Sequence, residues 1–182
     1  MAQAEIVTIG YGNRTMASFT ALLQKFGIRH LVDVRSKPFS RFNPDFTKDA
    51  LEANLVKAGI GYLYGGVQLG GIPEGAARTE KGQIDYLKVQ ERPEFQDGLR
   101  QLQRRAKRGN LALMCSELRP EECHRCKLLG TSLASQGIDI LHIDERGELI
   151  TQVQALARLT GGNGTLDVGL SGQLHQSRRS YT

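Results

Sequence analysis

The sequence predicts an α/β protein: a three-layer domain with a mainly parallel five-stranded sheet and helices on both faces. Three observations predict it. Short apolar runs alternate with amphipathic segments along residues 1–160. One of these runs, HLVDVRS at 30–36, is apolar enough to be buried on both faces, as strands of a parallel sheet are. Glycines stand where helices should stop, at Gly27, Gly59 and Gly137, the position at which a left-handed residue commonly closes a helix.

The elements follow in order. EIVTIGY (5–11) reads as the first strand. Thr15 is placed to cap a helix running to Phe26. The second strand is HLVDVRS, and the loop KPFSRFNPDF (37–46) carries two prolines. Thr47 caps a second helix that ends at Gly59, and GYLYGG (61–66) is the third strand. Residues 67–82 read as a long loop rich in glycine and polar residues, a length that points to function or disorder. Pro93 opens a helix to about Arg108, with an apolar stripe of Phe95, Leu99, Leu102 and Ala106. LALMCS (111–116) is the fourth strand. A helix from about Pro120 to Gln136, a fifth strand DILHID (139–144) and a last helix at 148–160 complete a single domain over 1–160. Residues 161–182 lack periodicity and are expected to form a flexible tail.

Composition excludes several classes. No apolar run approaches the roughly 20 residues a membrane helix needs, and the start, MAQAEIVTIG, has no charged region leading into an apolar one. Three cysteines, an odd count in a chain of 182 residues, fit thiols kept reduced rather than a disulfide framework. A cytoplasmic protein with no membrane partner is therefore expected. The net charge of +5 favours an anionic small molecule or nucleic acid as partner.

Ligands of open parallel sheets bind beyond the carboxyl ends of the strands. That rule gathers Asn13 after strand one, Asp33, Arg35, Ser40 and Arg41 at and after strand two, Tyr64, Gly70 and Gly71 after strand three, and Cys115 with Glu117 after strand four. Asp33 is a carboxylate inside an apolar strand, and Arg35 two residues on shares its face and can pair with it.

All three cysteines fall in LMCSELRPEECHRCKLL (113–129). Cys115, Cys123, His124 and Cys126 have the donor types of a tetrahedral zinc site. His124 directly follows Cys123, however, and on a helix would point about 100° away from it, so no metal is expected. Cys123 and Cys126 form a CxxC of the kind used in redox chemistry, but the strand ends eight residues earlier at Cys115. The remaining reading is an anion or nucleophile site. In it Glu117 and His124 move protons and Arg125 holds an anion at a helix start.

The motifs TIGYGNRT (8–15), LVDVRSKPFSRFNPDF (31–46), GYLYGGVQLGG (61–71), DYLKVQERPEFQDGL (85–99), LMCSELRPEECHRCKLL and GIDILHI (137–143) occur in order. Together they resemble the bacterial and archaeal family called domain of unknown function 488. The resemblance implies that its recurring polar positions fall on Gly10, Asn13, Asp33, Arg35, Pro38, Ser40, Tyr64, Gly70, Gly71, Cys115, Glu117, Cys123, His124 and Arg125. Tyr11, Gly12 and Cys126 depart from the family pattern, and the last weakens a dithiol reading. LVDVRS and a strand-end cysteine are also similar, at fold level, to the rhodanese arrangement.

The functional expectation is an enzyme acting on a phosphate-bearing substrate, a nucleotide or nucleic acid, with no cofactor specified. Cys115, Glu117, His124 and Asp33 are its expected catalytic groups. Asn13, Arg35, Ser40, Arg41, Tyr64, Gly70, Gly71, Cys123 and Arg125 are its expected binding groups. The alternatives are a non-catalytic module binding nucleic acid or protein, and a thiol-dependent enzyme of rhodanese-like or redox type.

Overall fold

The computed structural model describes residues 6–159 and 171–181. Its centre is a six-stranded sheet in the order β3-β2-β5-β1-β6-β7, where β1 is Ile6–Gly10, β2 His30–Asp33, β3 Gly61–Tyr64, β5 Leu111–Cys115, β6 Ile140–Ile143 and β7 Leu149–Thr151. The first five are parallel, and β7 pairs antiparallel with β6. A second, two-stranded antiparallel sheet joins β4 (Gln83–Asp85) to β8 (Gln176–Ser180).

Alternation along the strands sorts the core into two clusters. Ile9, Leu31, Ala112 and Met114 face Phe19 and Leu23 of α1 (Met16–Lys25) and Leu51 and Leu55 of α2 (Lys48–Lys57). Ile6, Val32, Leu111, Leu113 and Cys115 face α5 (Pro93–Ala106) and the segment Arg125–Ala134, a π-helix (Arg125–Gly130) that runs into α6 (Thr131–Ala134). The Phe95, Leu99, Leu102 and Ala106 stripe of α5 is buried in this second cluster, as its spacing predicts. Thr15 caps α1, its hydroxyl accepting the Ser18 N–H.

The structure corrects the sequence reading in three places. The sheet has six strands, not five, because Leu149–Thr151 turns back along β6 before the helix α7 (Gln152–Leu159). The turn is built on Asp144, whose carboxylate accepts the N–H groups of Arg146 and Glu148. Apolar residues 149, 150 and 153 fit a helical stripe as well as a strand, so pattern alone did not separate them. The 67–82 loop begins with a helical turn, α3 (Gly66–Leu69), and a short strand and helix follow it, β4 and α4 (Tyr86–Gln90). Third, the chain read as a flexible tail ends in β8, after a short turn α8 (Ser171–Leu174); its residues 161–170 and 182 lie outside the described ones. QSRRS has no apolar alternation to announce a strand. It is held instead by buried Ser177, whose hydroxyl accepts the Ile84 N–H at 2.8 Å while its carbonyl accepts from Gln83 Nε2.

One buried polar chain ties β1, β6 and α7 together. The Thr8 hydroxyl meets His142 Nδ1 at 2.7 Å, His142 Nε2 donates to Gln152 Oε1 at 2.6 Å, and Gln152 Nε2 donates to the Cys126 carbonyl. Burial, with the Arg125 charge nearby, pushes the His142 pKa down to about 3. An unfolded histidine titrates near 6.5. Between those values the unfolded chain binds a proton that the folded chain refuses, so stability falls with acidification through that window. Between pH 6.5 and 5 the loss should be about 1.6 kcal/mol. Urea titrations of wild type and His142→Gln over this range should show that slope in wild type and its reduction in the variant; identical slopes would remove His142 as the cause.

Candidate active site

The carboxyl ends of β1 and β5 lie side by side, Gly10 in register with Cys115. From β1 the chain runs through α1 toward β2; from β5 it runs through Arg125–Ala134, on the other face, toward β6. Connections that part in opposite directions leave a crevice between the strand ends, where ligands of such sheets bind.

The loop from Ser116 to His124 is fixed against this edge by backbone and by one buried arginine. Tyr11 N–H bonds the Cys115 carbonyl at 3.1 Å and Gly12 N–H the Ser116 carbonyl at 2.9 Å. Arg125 is fully buried; its Nη2 donates to the Leu118 carbonyl at 2.8 Å and its Nη1 reaches Thr8 Oγ1. Gly10 is required by closeness, since a Cβ there would fall 1.8 Å from the Glu117 carbonyl oxygen.

Asp33 and Arg35 form the pair their spacing predicts. Arg35 Nε and Nη2 donate to the two carboxylate oxygens at 2.9 and 2.6 Å, and Tyr62 adds a hydroxyl donor at 2.9 Å. Burial works against the charge on Arg35, but the Asp33 carboxylate holds its pKa above the ordinary value. The remaining nitrogen, Arg35 Nη1, is buried without a protein partner, and Arg35 lines a pocket at the strand ends.

That pocket has a volume of about 270 Å³. Cys115, Cys123 and His124 all line it, and Gly71 packs against the imidazole. His124 Nδ1 is 3.5 Å from Cys115 Sγ and 3.7 Å from Cys123 Sγ, while Nε2 is 3.1 Å from the Val34 carbonyl oxygen. A carbonyl only accepts, so Nε2 carries a proton and Nδ1 faces the sulfurs. A hydrogen bond from Cys123 and the adjacent His124 push the Cys115 thiol well down, against the effect of burial. Burial and the bond to Cys115 push Cys123 up. Burial disfavours charge on His124, yet the neighbouring Cys115 outweighs it and raises the imidazole pKa. The direction for the trio is a Cys115 thiolate beside a protonated His124. Cys126 belongs elsewhere, packed with Ile150 and Ala155, and burial pushes its thiol up to about 12.

The rim is basic and comes largely from the end of the chain. Arg178, Arg179 and Tyr181 line it with Lys37, and Arg178 reaches the carboxylates of Glu117 (3.4 Å) and Glu122. Of the residues picked out from sequence, Arg35, Gly71, Cys115, Glu117, Cys123 and His124 meet at this pocket. The others do not line it. Asp33 stands behind Arg35, and Arg125 braces the loop. Tyr64 donates to the Ser36 carbonyl, and Ser40 accepts the Asn43 N–H. Asn13 is exposed, as is Arg41, which lies beside the Phe42 ring. Gly70 gives room to Ser36, whose hydroxyl a Cβ would meet at 2.3 Å.

Sequence reasoning missed Tyr86, Ser177, Arg178, Arg179 and Tyr181, which reach the pocket through β4 and β8 pairing, a contact no local pattern encodes. Ser36 and Lys37 were within reach of the strand-end rule, since they directly follow Arg35.

The family model described as "Domain of unknown function DUF488" matches residues 15–131, well over half of the chain. The chain belongs to the DUF488 family. No curated protein and no solved structure matches it. The family match covers Asp33, Arg35, Gly71 and the whole of the Cys115–Arg125 loop, but it stops before β8. The floor of the pocket lies within the matched region, while the basic rim supplied by Arg178 and Arg179 lies outside it.

Gly71 offers a direct probe of this packing. A Cβ there would stand 2.7 Å from His124 Cγ, so Gly71→Ala must displace the imidazole. We expect a loss of about 1–3 kcal/mol in urea unfolding. An unchanged midpoint would mean the ring is not held as described.

Proposed function

We propose that this DUF488 protein is a thiol-dependent enzyme acting on an anionic substrate, with Cys115 as the nucleophile. The observation that carries this reading is the contact of Cys115 Sγ with His124 Nδ1 at the floor of a pocket with a basic rim. A thiol beside an imidazole whose other nitrogen is anchored is the arrangement of nucleophilic catalysis. The Val34 carbonyl plays the anchoring part here.

In this reading the Cys115 proton already rests on Nδ1, and the thiolate sulfur forms a bond to an electrophilic centre of the substrate. The bond to the leaving group breaks with its electron pair, and the imidazolium returns the proton to that group. Water then releases the bound fragment and restores the thiol. The anionic part of the substrate is held by the unpartnered Arg35 Nη1 and by Lys37, Arg178 and Arg179. A phosphate is one such anion, and a guanidinium suits it through paired N–H donors. Glu117 and Glu122 position Arg178. His124 Nε2 stays on the Val34 carbonyl, so the imidazole meets the substrate only through the Nδ1 proton beside Cys115. Asp33 keeps Arg35 charged and aimed.

Mass-mapped alkylation tests the reading. Iodoacetate, an anion, should label Cys115 faster than neutral iodoacetamide does, and inorganic phosphate should slow it. His124→Asn should slow both reagents, and the double variant Arg178→Gln/Arg179→Gln should abolish the preference for iodoacetate. Cys126 should stay unlabelled. A Cys115 inert to both reagents in the folded, metal-free protein would remove the nucleophile.

A further inference from the structure

The nucleophile reading uses one sulfur and one imidazole, and leaves the second sulfur, Cys123, with only a supporting bond. Yet the three donor atoms stand around a common point. Cys115 Sγ, Cys123 Sγ and His124 Nδ1 lie within 4.8 Å of one another, all three residues are buried, and all three line the pocket. We propose that Cys115, Cys123 and His124 form a zinc site whose fourth position opens into the pocket.

The distances carry the argument. Zinc sits about 2.3 Å from a thiolate sulfur and about 2.0–2.1 Å from an imidazole nitrogen. A tetrahedron with those radii has sulfur–nitrogen edges of about 3.6 Å and a sulfur–sulfur edge of about 3.8 Å. The two sulfur–nitrogen separations here are 3.5 and 3.7 Å. The sulfur–sulfur separation, at most 4.8 Å, needs to close by no more than about 1 Å.

The imidazole is also oriented as a ligand. A metal-bound histidine commonly donates its other ring N–H to a carbonyl or carboxylate, which fixes the tautomer and the ring plane. His124 Nε2 does this to Val34 O at 3.1 Å. The sequence argued against a shared ion because adjacent helical residues diverge. That objection fails here: Cys123 closes a turn on the Pro120 carbonyl (N···O 3.0 Å), and the winding that follows it is a π-helix over Arg125–Gly130. The sulfur and the ring are therefore free to converge. Cys126, the fourth donor in the sequence, points into a different cluster. That leaves three protein ligands and an open position, the pattern of reactive rather than purely structural zinc.

Binding exchanges protons for metal without redox change. The ion takes the place of the Cys123 thiol proton and the His124 Nδ1 proton, and joins the Cys115 thiolate, releasing two protons. Two thiolates, a neutral imidazole and Zn²⁺ sum to zero charge, and Arg35 lines the same pocket. Water or an anion completes the tetrahedron. A sulfur held this way is withheld from alkylation, so the zinc form and the free-thiol form are alternative states of one site.

The proposal shares Cys115 with the thiol reading but stands on geometry of its own, and the experiment separates the two. The full chain is stripped with a chelator, dialysed and titrated with zinc, with metal content read by mass spectrometry. One zinc per chain is expected in wild type, and loss of stoichiometric binding in Cys123→Ser. Cobalt(II) in the same site should give a thiolate-to-metal charge-transfer band that this variant lacks. No substitution is needed for the third readout: zinc at ten times its Kd should slow iodoacetamide labelling of wild-type Cys115 about tenfold. Failure of wild type to retain zinc, or equal binding in Cys123→Ser and wild type, overturns the site. If Cys115 resists alkylation without metal while zinc still binds one per chain, the nucleophile reading fails and the zinc site stands.

Discussion

The anchored imidazole of His124 is the constraint on which the site depends. Its Nε2 donates to the Val34 carbonyl at the end of the β2 segment, so its Nδ1 is turned onto Cys115 and Cys123. Rotate that ring and both sulfurs lose their partner. The rest of the local architecture keeps it from rotating. Gly71 lies flat against the imidazole because any larger residue would collide with it. Arg125, the next residue in the chain, is fully buried and bonded to the Leu118 carbonyl, which pins the loop that returns Cys123 and His124 to the strand end.

This arrangement explains why charges sit where they do in a region otherwise made of core. Asp33 and Arg35 neutralise one another inside the protein, at a cost of desolvation that geometry of this quality offsets. The pair leaves one guanidinium nitrogen, Nη1, buried without a partner. On the other side, Arg125 has no carboxylate partner among its hydrogen bonds and is accommodated by a carbonyl and the Thr8 hydroxyl. Thr8 in turn meets His142, which is kept neutral next to that charge. Two buried arginines thus play different parts: Arg35 offers a charge to the pocket, and Arg125 spends its donors on holding the loop.

The parallel part of the sheet was legible in the sequence because its signal is local: apolar runs such as 30–36 and 111–116, each with a cap or a glycine on the neighbouring helix. The site floor was legible through one topological rule, which put Arg35, Gly71, Cys115, Glu117 and His124 on the same edge. What was not legible depends on distant pairing. The rim residues Arg178 and Arg179 arrive through β8, a polar strand recognisable only beside β4. The roles of Arg125 and Ser40 were misjudged because a polar residue near a strand end looks the same in sequence whether it faces a ligand or a backbone carbonyl. The relation of Cys123 to His124 was misjudged because the helix was taken to begin at Pro120, whereas the turn through Cys123 comes first.

The central claim is that His124 presents Nδ1 to the two sulfurs and Nε2–H to Val34. Nitrogen-15 chemical shifts of the His124 ring, assigned by comparison with His124→Asn, test it most directly. The metal-free protein should show Nε2 protonated throughout, with Nδ1 taking its proton at a higher pH than a free imidazole does, and the zinc-loaded protein should show Nε2 protonated with Nδ1 shifted by the metal. A neutral ring with the proton on Nδ1 and a bare Nε2 would contradict the account, because neither the thiolate pair nor the zinc site can be built on that tautomer.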